Sequence, residues 1–279
     1  MRNGFRIFLG SLWLGAALVS QAAAAETAPH ARLELIPERK QLAAGEFRVA
    51  VRFQIEKGWH LYWKNPGDSG LAPSFEWDLP RGVRLREILW PYPEKIEDAS
   101  GTTYGYRDEA VLIALFEAAP KLSEAAITVK AKWIACEKTC VPEKGTARAV
   151  LSVKAPAAPP EALFLEAEKR IPYRNPYWLL SALIDDRTLS LVLYSPEGAA
   201  VPPGLRFFPE DPELLDPGAA QTVTGSKGSV ELAVPLSAAA KIPQRLKGAV
   251  VADAAWNEWD ARRALEIDTP LRLNPKKGT

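Results

Sequence analysis

The chain has 279 residues, and its 35 Lys and Arg residues nearly balance its 34 Asp and Glu residues, which gives a formal net charge of +1. This balance excludes a strongly basic surface for polyanions, so we expect no nucleic acid partner. The length is sufficient for two medium-sized domains or one large one.

The first 25 residues have the pattern of a secretory signal peptide. A basic start is followed by an apolar run from Ile7 to Val19 and by small residues up to Ala25. This run is shorter than the roughly 20 apolar residues that a membrane-spanning helix needs, and no later segment approaches that length. We therefore predict cleavage near Ala25, export from the cytosol and no stable membrane insertion of the mature chain.

Residues 26–155 are predicted to form a first β-sandwich domain. Several segments alternate apolar and polar residues with the period of two that a half-buried strand requires. They are Phe47–Phe53, Ala110–Phe116, Ile127–Trp133 and Ala147–Val153. Gly and Pro clusters separate them at intervals that favour an antiparallel sandwich.

A proline-rich linker and a short helix are predicted for residues 156–171, and a second, all-β sandwich domain for residues 172–279. Apolar residues three and four apart predict the helix within Pro160–Arg170. The strand patterns that follow are Thr188–Tyr194, Leu205–Phe208, Ser229–Val234, Gly248–Ala252 and Arg263–Ile267. The second domain contains neither cysteine nor histidine, so it is poor in groups for covalent or metal chemistry.

Both cysteines of the chain lie in one predicted hairpin connection, Cys136-Glu-Lys-Thr-Cys140. An extended segment would separate them by four steps of roughly 3.3 Å, beyond the roughly 7 Å that bridged Cα atoms allow, so a bridge requires the loop to turn back. A ring of about five residues stabilises a fold by only about 2 kcal/mol and is easily reduced. The spacing therefore favours a redox-active pair.

Two alternatives remain open for this pair. One is an inert loop disulfide in a two-domain β-sandwich binding or assembly protein. The other is a metal chaperone for copper or zinc, although the chain offers only His30 and His60 as further soft or borderline ligands and no methionine after the signal peptide. We predict neither a metal site nor a cofactor.

Four ordered sequence blocks, within about residues 30–155, resemble a known family. They are Gly58–Pro73, Leu89–Pro93, Tyr104–Tyr106 with Glu109–Leu112 after it, and Cys136–Pro142. Together they resemble the N-terminal periplasmic domain of the DsbD family, and most closely its relatives in the ScsB copper-tolerance group. A weaker similarity continues through Phe207–Pro209.

The resemblance implies an immunoglobulin-like fold and a thiol:disulfide oxidoreductase of the protein-disulfide reductase type. Cys140 matches the cysteine that forms the mixed disulfide with a partner, and Cys136 would resolve it. The implied partners are periplasmic thioredoxin-like or copper-stress proteins. Because the chain ends at Thr279 without a membrane section, we expect a separate membrane electron donor.

The family also carries an aromatic cap loop over its cysteine pair, and the matching region here is Glu97–Tyr106. We expect Tyr104 to be the capping aromatic, with Thr103 and Tyr106 beside it. Asp98 is either a proton partner of the thiols or an exposed turn carboxylate.

The block from Trp59 to Trp63 alternates aromatic and aliphatic residues. Trp59, Leu61 and Trp63 are predicted to fill the sandwich core. His60 is expected to point the other way into solvent, without a catalytic role.

Overall fold

A computed structural model describes residues 28–98, 101–156, 162–195, 199–225 and 228–274. The predicted signal peptide, residues 1–25, and residues 157–161 of the predicted linker and helix segment lie outside these ranges. No helix in these ranges combines the length and the hydrophobicity that a membrane span requires.

The described residues before the helix form ten strands. They are β1 (Ala31–Pro37), β2 (Gly45–Ile55), β3 (His60–Gly67), β4 (Ser74–Asp78), β5 (Val83–Leu89), β6 (Glu94–Asp98), β7 (Gly101–Arg107), β8 (Glu109–Ala118), β9 (Glu124–Cys136) and β10 (Cys140–Ser152). One antiparallel sheet has the order β1-β2-β8-β5. The other has the order β10-β9-β3-β7-β6, and β4 pairs with β9 on the same side as β3. The two sheets enclose one hydrophobic core, as in a β-sandwich.

The predicted alternation of β9 is confirmed by its burial. Ile127, Val129 and Trp133 are buried in the core, whereas Lys130 and Lys132 are exposed on the outer face of the sheet. Successive side chains of a strand point to opposite faces, so the outer face of β9 also carries Cys136.

The first sheet has a covered outer face, because a helix packs on it. This helix, α1 (Ala162–Glu168), inserts Phe164 against Ala50, Val111 and Ile113 of β2 and β8. This contact explains why β8 is apolar on both faces in its first half. The described helix lies within the predicted segment.

Seven strands follow α1 in the described residues. They are β11 (Leu179–Asp185), β12 (Thr188–Tyr194), β13 (Arg206–Pro209), β14 (Thr222–Gly225), β15 (Ser229–Pro235), β16 (Arg245–Val251) and β17 (Ala264–Leu273). The first part of β17 pairs with β16, and its last residues pair in parallel with β11, so this strand passes from one layer to the other. The layers β13-β16-β17 and β17-β11-β12-β15-β14 enclose a second core. The predicted all-β class with two sandwiches is confirmed.

The two sandwiches share an apolar contact. The ring of Phe208, in β13, lies 6.4 Å from the ring of Trp63 and 5.2 Å from the ring of Tyr104, both edge to face. Trp63 and Tyr104 belong to the first core, so the second sandwich closes that core at one end.

Polar contacts fix the same junction. The Asn65 side-chain amide donates to the backbone oxygen of Pro209 at 2.8 Å, and Asn65 is 1% exposed. Lys64 forms an ion pair with Glu210 at 2.6 Å. The residues of β3 that follow Tyr62 are therefore held by the second sandwich.

Candidate functional site

The cysteines close the hairpin between β9 and β10. They face each other as the last cross-strand pair, with Cα atoms 4.1 Å apart and a disulfide bond between them. The backbone N–H of Glu137 donates to the carbonyl of Thr139 at 3.2 Å, which closes the three-residue turn. The loop thus turns back as a bridge between such close cysteines requires.

The two sulfur-bearing residues differ in their access to solvent. Cys136 is 2% exposed, whereas Cys140 is exposed at the start of the edge strand β10. A thiol or disulfide of another protein therefore reaches Cys140 first, and Cys136 is protected behind it.

A buried tyrosine hydroxyl contacts the disulfide. The Tyr62 hydroxyl lies 3.0 Å from Cys136 Sγ and 3.7 Å from Cys140 Sγ. The cause is the sheet register: β3 pairs His60 with Cys136, which places Cys136, His60 and Tyr62 on one face of the sheet. Tyr62 is 2% exposed, so its hydroxyl acts in a site from which water is largely excluded.

The turn after β3 covers the Tyr62 ring. Gly70 lies so close that an added Cβ would be 2.2 Å from Tyr62 Cζ, and its φ of +100° favours glycine. The turn is tied to β7, because the Asp68 N–H donates to the Thr102 carbonyl and Asp68 Oδ2 accepts from the Thr102 N–H at 2.7 Å. Glycine and aspartate thus hold the tyrosine against the disulfide.

Tyr104 and Tyr106, expected in the cap, lie on the opposite face of the sheet from Tyr62. The register pairs Tyr62 with Gly105 and Leu61 with Tyr106, so both cap tyrosines point into the core. Burial raises the pKa of each above its ordinary value, which keeps both hydroxyls protonated. The structure therefore places Tyr104 elsewhere than over the disulfide, and Tyr62 makes the aromatic contact instead.

The other expected cap residues belong to the hairpin of β6 and β7. Thr103 is 1% exposed, and its hydroxyl donates to the Ile96 carbonyl at 3.5 Å. The side chain of Asp98 and residues 99–100 lie outside the described part of the chain.

The expectations for the Trp59–Trp63 block are met in part. Leu61 and Trp63 are core residues, whereas Trp59 is half-buried and stacks on the ring of His30 at 3.4 Å. His60 does lie on the outer face, but the prediction that it is solvated is wrong, because it is 4% exposed. Its ring lies 5.4 Å from that of Tyr62.

Alternation alone can find the face that Tyr62 shares with His60, but it does not show the strand pairing that brings Tyr62 to the cysteines. The sequence places Asp68 and Gly70 in the Gly58–Pro73 block, but it does not show that they cover Tyr62. Within the described ranges, no three His, Cys, Asp or Glu side chains converge in a way that could hold a metal ion.

Comparisons with known proteins agree with this geometry. A family model described as "Thiol:disulfide interchange protein DsbD, N-terminal" matches residues 32–152. Among solved structures, the N-terminal periplasmic domain of ScsB from Proteus mirabilis matches with a TM-score of 0.58 and 17% identity, over 88% of this chain and 92% of that one. Its coverage extends over both sandwiches, so the two proteins share a fold.

A second solved structure, the reduced N-terminal domain of DsbD from Neisseria meningitidis, matches at 21% identity over 46% of this chain and 90% of that one. Its TM-score of 0.28 is too low to add to the argument. No curated protein sequence matches the chain. Both cysteines, the Tyr62 contact and the matched blocks lie within residues 32–152, the segment that the family model covers, and this segment is similar to the N-terminal domain of the DsbD thiol:disulfide interchange proteins.

Proposed function

We propose that this chain is a periplasmic thiol:disulfide interchange protein, which relays electrons through Cys136 and Cys140 to thioredoxin-like proteins. The observation that carries the proposal is the asymmetric pair itself. An exposed sulfur is bonded to a buried one in a short ring, and a buried hydroxyl lies within hydrogen-bond distance of the buried sulfur.

The exchange follows from these positions. In the reduced protein, the Cys140 thiolate attacks one sulfur of the partner's disulfide, and the other partner sulfur leaves as a thiolate that takes a proton from solvent. The Cys136 thiolate then attacks Cys140 Sγ, which restores the ring and releases the second partner sulfur. Two electrons pass to the partner, and two thiols of the chain become one disulfide.

Tyr62 stabilises the buried sulfur during this cycle. Its hydroxyl can donate to Cys136 when that sulfur carries negative charge, and hydrogen bonds to charged acceptors are the stronger kind. The hydroxyl thus partly replaces the water that burial removes from Cys136.

The periplasmic location and the partners rest on further support. The first 25 residues have a signal-peptide pattern, and the solved ScsB relative is described as a periplasmic domain. A separate membrane protein would reduce the disulfide, and a thioredoxin-like or copper-stress protein would receive the electrons. The reaction class is that of a protein-disulfide reductase.

Redox titration of the purified chain against glutathione, followed by transfer to oxidised protein disulfide isomerase, a thioredoxin-fold protein with a potential of about −180 mV, tests the proposal. We expect the reduced chain to reduce this protein, and we expect Cys140→Ser to abolish transfer while the circular dichroism spectrum is kept. A potential below about −300 mV together with no transfer to any thioredoxin-fold protein would contradict the relay and support an inert loop disulfide.

A further inference from the structure

A groove begins beside the disulfide on the outer face of β4, β9 and β10. It has a volume of about 490 Å³ and is lined by Leu71, Ser74, Lys132, Ile134, Pro142 and Lys144 among others. A second cavity of about 540 Å³ shares Ser74, Lys132 and Lys144 with it, so the depression continues along the sheet. We call this surface the hairpin groove.

The sheet register orders the groove in rungs that start at the cysteines. Next to the cysteine pair, Ile134 faces Pro142, and the following outward rung pairs Lys132 with Lys144. Outward rungs of a strand pair are spaced by roughly 7 Å, so the apolar rung directly adjoins the disulfide and the lysine rung follows it.

The part of the groove near the disulfide is apolar. Leu71 is 67% exposed at its rim, Pro142 is exposed and Ile134 is half-buried. Exposed apolar side chains gathered beside a reactive group are typical of a surface that a partner covers.

The lysine rung carries two like charges directly opposite each other. Such a pair is unfavourable in an antiparallel ladder. Neither Lys132 nor Lys144 forms an ion pair within the described part of the chain, whereas Lys130 contacts Glu76 at 3.5 Å. The rung therefore presents positive charge to any incoming protein.

The nearest carboxylate in sequence does not neutralise this rung. Glu143 borders the groove, but its oxygens accept hydrogen bonds from Trp133 Nε1 at 2.7 Å and from the backbone N–H of His30 at 2.6 Å, and it forms no ion pair with Lys132 or Lys144 in the described part of the chain. Successive residues of β10 point to opposite sides, so Glu143 and Lys144 separate.

We infer that the hairpin groove binds the segment next to the reactive cysteine of the thioredoxin-like partner, and that this segment is apolar with acidic side chains. The inference rests on the proposed function. A protein bonded through sulfur to Cys140 must cover the adjoining rungs, because they begin within one rung of that sulfur. Its apolar side chains would cover Leu71, and its carboxylates would neutralise the two lysines.

The test uses two synthetic peptides that share one Cys-X-X-Cys disulfide and the same apolar flank. One flank carries two glutamates and the other carries two lysines. The measurement is the rate constant with which each peptide oxidises the reduced chain. We expect the acidic peptide to react about tenfold faster at low salt, and we expect this preference to shrink as salt is raised.

Two variants test whether the groove causes the faster reaction of the acidic peptide. K132Q/K144Q should bring the two rates together, whereas K247Q, which removes an exposed lysine of the second sandwich, should leave the preference unchanged. Equal rates for the two peptides with the unmodified chain would overturn the inference, as would a preference that K132Q/K144Q does not change.

One further measurement separates this inference from the proposed function. Neutral hydroxyethyl disulfide should oxidise the unmodified chain and K247Q at the same rate. If this compound reacts but the peptides are not distinguished, only the inference fails. If no disulfide reacts, the proposed function fails, and with it the inference.

Occupation of the groove without chemistry is measured with fluorescent peptides in which serine replaces both cysteines. Tighter binding of the acidic peptide, lost in K132Q/K144Q, supports the inference, and equal binding overturns it. Sedimentation velocity tests whether a second copy of the chain occupies the groove instead. A dimer that dissociates in K132Q/K144Q would assign the groove to that second copy and overturn the inference.

Discussion

Replacing Tyr62 with phenylalanine should make the Cys136–Cys140 disulfide harder to reduce. The hydroxyl lies 3.0 Å from Cys136 Sγ in a site where Tyr62 is only 2% exposed. Phenylalanine keeps the ring beneath Gly70 and removes only the hydroxyl, so the change isolates one hydrogen bond.

The magnitude follows from the charge state of the sulfur. A hydrogen bond to a charged group contributes about 1.5 to 3 kcal/mol, and disulfide sulfur is a weak acceptor that offsets little of this. Removing the hydroxyl therefore destabilises the reduced form, with its Cys136 thiolate, more than it destabilises the oxidised form. For a two-electron couple about 1.4 kcal/mol equals 30 mV, so Tyr62→Phe should lower the potential by roughly 30 to 60 mV.

The assay is equilibration with dithiothreitol or glutathione buffers at pH 9, above the ordinary pKa of a free cysteine. Tyr106→Phe is a matched control, because it also removes a buried hydroxyl from the same sheet, one that donates to the Pro91 carbonyl at 2.8 Å. This control should lower stability and leave the potential unchanged. An unchanged potential in Tyr62→Phe, or an equal shift in both variants, would refute the reasoning.

Three further changes test how the site and its support are built. Gly70→Ala should reduce the free energy of unfolding in urea by about 2 kcal/mol or more, because the new methyl would meet the Tyr62 ring at 2.2 Å with φ at +100°, and an unchanged midpoint would contradict this. Asn65→Ala should cost about 2 kcal/mol in the same assay, because a buried carbonyl of the second sandwich and a backbone N–H lose their partner; a loss near zero would show that the junction does not depend on this amide. The hydrogen bond from Arg48 lowers the pKa of Glu38 below 4.5, so this carboxylate stabilises the fold above that pH and the contribution is lost as pH falls through the lower folded pKa. Glu38→Gln should therefore flatten the acid limb of the stability curve, and an unaltered limb would contradict the assignment.

The strands that sequence predicts best are those with one buried face. Thr188–Tyr194 has the bounds of β12 itself, because leucines alternate there with polar residues. The segment that forms β11, Leu179–Asp185, was not predicted, since adjacent leucines blur its alternation. Five-residue β4 was also missed, although Phe75 and Trp77 alternate in it.

The sequence predicts the loop that carries the two cysteines, but it does not predict which residues pack around that loop. The spacing of the cysteines requires a turn, and the structure has one. The role of Tyr62 depends on β3 lying beside β9, a pairing between residues 74 positions apart that no local pattern shows. His60 illustrates the same limit, because alternation gives the face of a strand but not whether a turn covers that face.

Reaction of single-cysteine variants with a thioredoxin that keeps only its attacking cysteine, activated as a mixed disulfide with thionitrobenzoate, tests the central claim most directly. Exposed Cys140 should attack, and buried Cys136 should only resolve. Cys136→Ser should therefore accumulate a mixed disulfide with thioredoxin through Cys140, whereas Cys140→Ser should form little in the same time. Equal trapping by both variants, or trapping through Cys136 alone, would contradict the account.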